Sequence, residues 1–211
     1  MSPSSASTLR AEPLNGYIGA VVSNIDLSKT LSDPDVAALQ AALARYEVLV
    51  FRNQDISMDA QIAFATRFGT LSTHPFATNL PEKPEVIVFD NSGQNPAGPT
   101  DSWHSDETFR ACPPMATILR AQVVPPYGGE TVFASMTAAY EGLSEPMKAY
   151  IHELKALHDF KPWRTMFCGS EALRRKLFEL EQEFPNPAHP LVRVHPLTRR
   201  RVIFVNPQFT V

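Results

Sequence analysis

Nineteen prolines scattered through 211 residues constrain this chain more than any other feature. Proline lacks the backbone N–H that a helix interior or a central strand needs, so it is confined to first helical turns, edge strands and loops. At this density it cuts the chain into short elements joined by shaped loops and argues against a helical bundle. The length suits one large domain or two small ones and permits a sizeable core.

Hydrophobic periodicity fills in the elements. Tyr17 to Leu27 predicts a strand and turn. Ser32-Asp33-Pro34-Asp35 is a helix start, with proline near the first helical position and an acid three residues after the capping serine. Val36, Leu39 and Leu43 continue at helical spacing to about Arg45. Val48–Phe51 predicts a short buried strand, Ser57 opens a second helix closed by Gly69, and Val86–Phe89 predicts another strand. Asn91 to Thr100 is a loop by composition. Ala116–Val124 and Thr131–Ala134 flank Pro125-Pro-Tyr-Gly-Gly129 and predict a hairpin. One or two helices follow over Thr137–Leu157, and another over Glu171–Glu183 begins at Ser170. Leu191–His195 and Val202–Val205 predict a second hairpin. Short strands, hairpins and peripheral helices together point to an antiparallel β core, for which a jelly-roll barrel is the usual architecture.

Composition removes several function classes. A net charge of −3 and a pI near 6.1 give no electrostatic reason to expect nucleic acid or an anionic membrane as partner. The basic cluster Arg199-Arg200-Arg201 falls in a predicted turn and reads as a solvated tip. Two cysteines, Cys112 and Cys168, form no CxxC pair, so neither a disulfide framework nor a zinc knuckle is expected, and a reducing cytoplasm is the default location. The first twelve residues lack an apolar signal region and are expected to be a disordered lead to a domain over 13–211. No apolar run approaches the ~20 residues needed to span a bilayer.

Chemistry concentrates in Trp103-His104-Ser105-Asp106-Glu107. In an extended stretch alternate side chains share a face, so His104 and Asp106 would project together. An imidazole nitrogen and a carboxylate oxygen offered side by side are two thirds of the 2-His-1-carboxylate triad that holds non-heme Fe(II) with open positions. The triplet alone is weak evidence, since a His-x-acid arises by chance about once per ~400 residues at average composition.

The surroundings strengthen it. Gly16-Tyr-Ile-Gly-Ala20 with Asp26-Leu27, Arg67-Phe-Gly69, His74-Pro75, Trp103-His-Ser-Asp106 with Phe109, and Pro113-Pro114 occur in order. Gly128-Gly-Glu-Thr131, Ala139-Tyr140-Glu141, His158-Asp159-Phe160, and His189-Pro-Leu-Val-Arg-Val-His-Pro196 with Phe204-Val-Asn206 and Phe209 complete the series. In that order and spacing they resemble the TauD/TfdA family of Fe(II)- and 2-oxoglutarate-dependent dioxygenases, nearest its taurine dioxygenase branch. The resemblance covers nearly all of the chain after residue 14. It implies a double-stranded β-helix (jelly-roll) core, Fe(II) as cofactor, 2-oxoglutarate and O2 as cosubstrates, and a small anionic substrate. Self-association is common in the family. By the same resemblance His104 and Asp106 are the first two iron ligands, and Thr131 holds the carboxylate of 2-oxoglutarate. His74 meets the substrate's anionic head group and Phe209 walls its pocket.

Three positions depart from the taurine pattern. A tyrosine expected three residues after the pocket histidine is Ala77, and an asparagine expected four before the first ligand is Thr100. The usually small apolar residue after the aspartate is Glu107, which adds a negative charge. Thr100 and Glu107 thus enter the candidate substrate contacts with altered chemistry. The family's second iron histidine, its 2-oxoglutarate arginine and a substrate arginine would lie beyond Val211, and none of His152, His158, His189 or His195 occupies the matching position. His158 and His195 read as structural. The chain is therefore expected to be a fragment with an incomplete barrel, and to turn over little or no 2-oxoglutarate. For a complete protein the expected reaction is hydroxylation of a small organic acid such as taurine or another alkyl sulfonate, which collapses to aldehyde and sulfite. An alkyl sulfate ester or an aryloxyalkanoate is the rival substrate, and a catalytically incompetent fragment the rival reading of the chain.

Overall fold

A computed structural model describes residues 7–76, 79–89, 102–160 and 164–211. Its described residues form two compact units. Unit 1 comprises Met1–Leu71, Ile118–Gly142 and Val194–Val202; unit 2 comprises Ser72–Thr117, Leu143–Arg193 and Ile203–Val211.

Unit 1 is built on a three-stranded sheet in the order β1-β2-β3. Strand β1 (Arg10–Pro13) runs antiparallel to β2 (Ala20–Ser23), with Arg10 opposite Ser23. Where the sequence predicts a disordered lead through residue 12, Arg10–Glu12 are thus paired, because β2 offers them an open edge. Strand β3 (Leu49–Phe51) lies parallel to β2, not antiparallel as expected. A parallel neighbour requires a crossover, and helix α1 (Asp33–Tyr46) supplies it. Ser32 caps α1 by accepting from the Asp35 amide, and Pro34 sits in the first turn where its missing N–H costs nothing. The helix buries Val36, Leu39 and Ala42. Helix α2 (Met58–Thr66) is capped by Ser57 as expected but ends at Thr66, with Arg67 as its C-cap, before Gly69 is reached. Val22, Leu27, Leu39, Ile56 and Phe64 form the core of this unit. Helix α3 (Met136–Glu141) is capped by Ser135.

The predicted hairpin over 116–134 does not form. Residues 117–134 contain no strand, and Val123, Val124, Tyr127 and Val132 are each more than two thirds exposed. Strand propensity without a partner backbone has nothing to satisfy its N–H and C=O groups, and Pro125 and Pro126 carry no donors.

Unit 2 contains a hairpin of β4 (Asn79–Leu80) and β5 (Lys83–Ile87) and a pair of β6 (Lys155–Leu157) and β7 (Ala188–Pro190), both antiparallel. The C-terminal residues extend that second pair, since the Asp159 amide donates to the Phe209 carbonyl and the Val211 amide to Leu157. Helix α4 (Glu145–Ile151) and helix α5 (Glu171–Glu183) are capped by Ser144 and Ser170, with a 3₁₀ turn at Thr165–Phe167 between them. The core is almost wholly aromatic, comprising Phe76, Phe109, Phe160, Phe167, Leu180, Phe184 and Phe209. Strands β8 (Val192–Val194) and β9 (Arg201–Ile203) pair as the expected second hairpin. Among the described residues no sheet closes into a barrel, and no helix is long and apolar enough to cross a membrane.

Candidate metal centre

His104 and Asp106 sit in unit 2 on an irregular stretch that turns at Asp106. Nε2 of His104 lies 3.3 Å from Oδ1 of Asp106. Nδ1 of His104 lies 2.8 Å from the Ser102 carbonyl. A carbonyl only accepts, so Nδ1 carries a proton, and in the neutral tautomer this leaves the lone pair at Nε2. Nε2 and the carboxylate oxygen face each other at 3.3 Å, an arrangement that a shared proton or a cation between them satisfies. Two ligand atoms at roughly 2.0–2.2 Å from one ion and near a right angle to each other stand about 3 Å apart. The observed pair fits that requirement. Side-chain exposure of 32% and 47% keeps the site open to solvent.

Both side chains are oriented from behind. The Ser102 carbonyl fixes the imidazole, and the Thr117 hydroxyl donates to the other carboxylate oxygen, Oδ2 of Asp106, at 2.6 Å. Metal-binding side chains characteristically have such supporting bonds. Nothing in the sequence around His104 signals Thr117, which arrives eleven residues after Asp106 across a turn.

The residues that follow are anchored from distant parts of unit 2. Thr108 is fully buried, and its hydroxyl meets Nδ1 of His158 at 2.8 Å and the Asn206 amide at 3.3 Å. His189 points Nε2 at the carbonyls of Thr108 and Arg110, each at 3.0 Å. His158 is itself fully buried, and that burial, reinforced by neighbouring His189, pushes its pKa below the ordinary histidine value. His158 therefore serves as a neutral hydrogen-bonding post, and His189 braces the same stretch through its two carbonyl contacts. His195 caps its own turn, its Nδ1 accepting from the amides of Leu197 and Thr198. Among the described residues no three His, Cys, Asp or Glu side chains converge as a metal cluster.

The other candidate residues fall in different settings. His74 is half-buried in unit 2, with Nδ1 accepting from the Phe76 amide and its ring edge-on to Phe76 and Phe109. Burial holds its pKa below the ordinary value, against the opposing pull of the Glu107 carboxylate. Glu107 is buried, and its carboxylate is taken by Arg110 at 2.5 Å and by the Ser72 hydroxyl at 3.3 Å. The extra negative charge that the sequence suggests is thus neutralised locally. Arg110 also reaches the Thr73 carbonyl and lies over the Phe184 ring. Phe209 is only 1% exposed and packs on Phe109 within the aromatic core. Thr131 is exposed, lies outside any strand and belongs to unit 1. Thr100 and Ala77 lie outside the described residues.

Comparison with known proteins gives the chain its relatives. The profile of the family described as "Taurine catabolism dioxygenase TauD, TfdA family" matches residues 10–211. An alpha-ketoglutarate-dependent sulfate ester dioxygenase of Pseudomonas putida is 34% identical over 92% of this chain and 65% of its own length. An (S)-phenoxypropionate/alpha-ketoglutarate-dioxygenase of Sphingobium herbicidovorans is 32% identical over 92% of this chain and 69% of its own. The crystal structure of a taurine dioxygenase from Burkholderia xenovorans superposes with a TM-score of 0.78 at 34% identity, covering 97% of this chain and 65% of that one. The chain thus spans about two thirds of the length of these relatives. The likeness gives the fold class as jelly roll.

Proposed function

Because this chain belongs to the TauD/TfdA family, we propose that it is an Fe(II)- and 2-oxoglutarate-dependent dioxygenase domain that hydroxylates a small organic acid. The observation that carries this reading is the pairing of Nε2 of His104 with Oδ1 of Asp106, 3.3 Å apart, with each side chain held from behind. Bound there, Fe(II) would supply the activation of O2 that no protein side chain can perform. The chain's own residues do the rest. His104 and Asp106 hold the ion, and the posts at Thr108, His158, His189 and Asn206 keep the following turn from drifting. His74, neutral and half-buried, is the candidate contact for the acid head group, while Glu107 and Phe209 shape the same unit from within its core. Thr131 for 2-oxoglutarate and Thr100 for the substrate rest on motif position. The two cysteines are free and exposed, in keeping with a reducing cytoplasm.

The substrate class divides between alkyl sulfonates and the sulfate esters or aryloxyalkanoates named for the relatives. Ala77, which removes a tyrosine hydroxyl from the taurine pattern, favours the second group. Anaerobic Fe(II) titration of the chain tests the centre, and His104→Ala should abolish stoichiometric binding. Succinate release with Fe(II), ascorbate, 2-oxoglutarate and each acid in turn then ranks the substrates. With two protein ligands on the described residues, turnover is expected well below ~1 per second. Equal iron binding by the His104→Ala chain would remove the proposal.

A further inference from the structure

We infer that Thr117 is a positioning residue that holds Asp106 as a one-oxygen ligand, an inference that rests on the metal-centre reading above. Carboxylates bind metal ions through one oxygen or both. If both oxygens of Asp106 turned to the ion, they would occupy a coordination position that a chelating cosubstrate needs. The geometry works against that. Oδ1 faces Nε2 of His104, while Oδ2 accepts the Thr117 hydroxyl at 2.6 Å. That length falls in the range of charge-assisted O–H···O⁻ bonds, about 2.5–2.7 Å and roughly twice as strong as neutral ones. A one-oxygen ligand keeps its second oxygen for a hydrogen bond, and Thr117 supplies the donor. The threonine is otherwise unremarkable, an exposed residue on a segment without regular structure. An exposed hydroxyl is ordinarily satisfied by water, so its alignment with the back of a candidate ligand gives it a specific task. His104 is treated alike, with one nitrogen committed to the Ser102 carbonyl and the other left for the ion. Each ligand therefore offers one electron pair, and both pairs face the same gap.

The test uses Co(II) alone, titrated into the 211-residue chain and followed by its d–d absorption, whose position and intensity report coordination number. Thr117→Val removes the hydroxyl at nearly constant shape, and Thr117→Ser keeps it. Loss of a supporting bond of this kind typically weakens metal binding by about 10–100-fold, and the exposed site places Thr117→Val near the lower end, about tenfold. Its d–d band should also change as the freed oxygen competes for the ion, while Thr117→Ser keeps the native affinity and band. Thr117→Val with the native band and an affinity within about twofold of the parent would overturn the inference. A lowered melting temperature with unchanged Co(II) binding would overturn it too, by making the bond purely structural. If His104→Ala binds Co(II) as the parent does, the metal centre itself is refuted and this inference falls with it.

Discussion

Residues 107–110 and residues 118–134 share an irregular backbone and differ in almost everything else. The first stretch, Glu107-Thr108-Phe109-Arg110 in unit 2, holds only two strand formers, and these, Thr108 and Phe109, are each 1% exposed. Bonds reach it from Ser72, Thr73, His158, His189 and Asn206. The second stretch, in unit 1, is rich in Val, Ile, Leu, Tyr and Phe, and most of those side chains stand in solvent. Propensity alone would have ordered the second at least as firmly as the first. Order instead follows partners. A short segment held by five distant residues is fixed whatever its intrinsic preference, whereas a strand-prone segment with no facing backbone stays unpaired. For the candidate centre this means that the turn after Asp106 is fixed by side-chain bonds converging from far along the chain, while His104 and Asp106 themselves are held by the nearby Ser102 and Thr117.

The largest expected effect tests the buried side of that contrast. Phe109 packs against Phe76, Phe160, Phe184 and Phe209 with ring centroids 5.3, 6.1, 5.5 and 5.6 Å away. Phe109→Ala should destabilise the chain by about 3–5 kcal/mol, the usual cost of deleting a buried aromatic ring. Denaturant titration measures it. A loss below about 1 kcal/mol would mean the aromatic core can collapse around the gap, and the contrast with 118–134 would shrink accordingly.

Next in size is the polar post. Thr108→Val preserves shape but removes the oxygen that serves both His158 and Asn206. Leaving buried polar groups without a partner costs about 1–3 kcal/mol. Thr108→Ser should recover most of that loss, because the hydroxyl returns and only a methyl is missing. If serine and valine destabilise equally, packing and not the hydrogen bonds secures the turn.

The sequence reveals local features well and distant ones poorly. Ser32, Ser57 and Ser170 announce their helices because a cap and the amide it serves lie three residues apart. The same locality makes His104 and Asp106 legible as a pair, and it ties His104 to Ser102. Pairing of β6 with β7 joins Ala156 to His189 across more than thirty residues, and no local pattern in Lys155–Leu157 marks it as a strand. The parallel β2–β3 partnership is hidden for the same reason, although the helix between them is plain. Thr108 and Thr117 look like any other threonines, since their roles exist only once the chain brings their partners to them. His158, His189 and Asn206 stand between these cases. The family blocks flag them, but only the structure gives each a defined bond.

The smallest expected effect examines the other half of the comparison. Val123 is 88% exposed and sits beside Val124 at 73%, with Tyr127 at 92% further along. A valine that leaves water by so little gains almost nothing from the hydrophobic effect, which scales with the apolar area removed from solvent. Val123→Ser should therefore change the stability of this chain by no more than about 0.5 kcal/mol, the ordinary range for surface substitutions away from packed features. Amide hydrogen exchange provides the companion measurement. Backbone groups with neither strand nor helix partners exchange through openings that cost little, so amides over 118–134 should exchange far faster than those of Phe109 and Arg110. A loss above about 1 kcal/mol in Val123→Ser, or slow exchange across 118–134, would show that the segment is packed in solution and that its strand-rich sequence had found a partner after all.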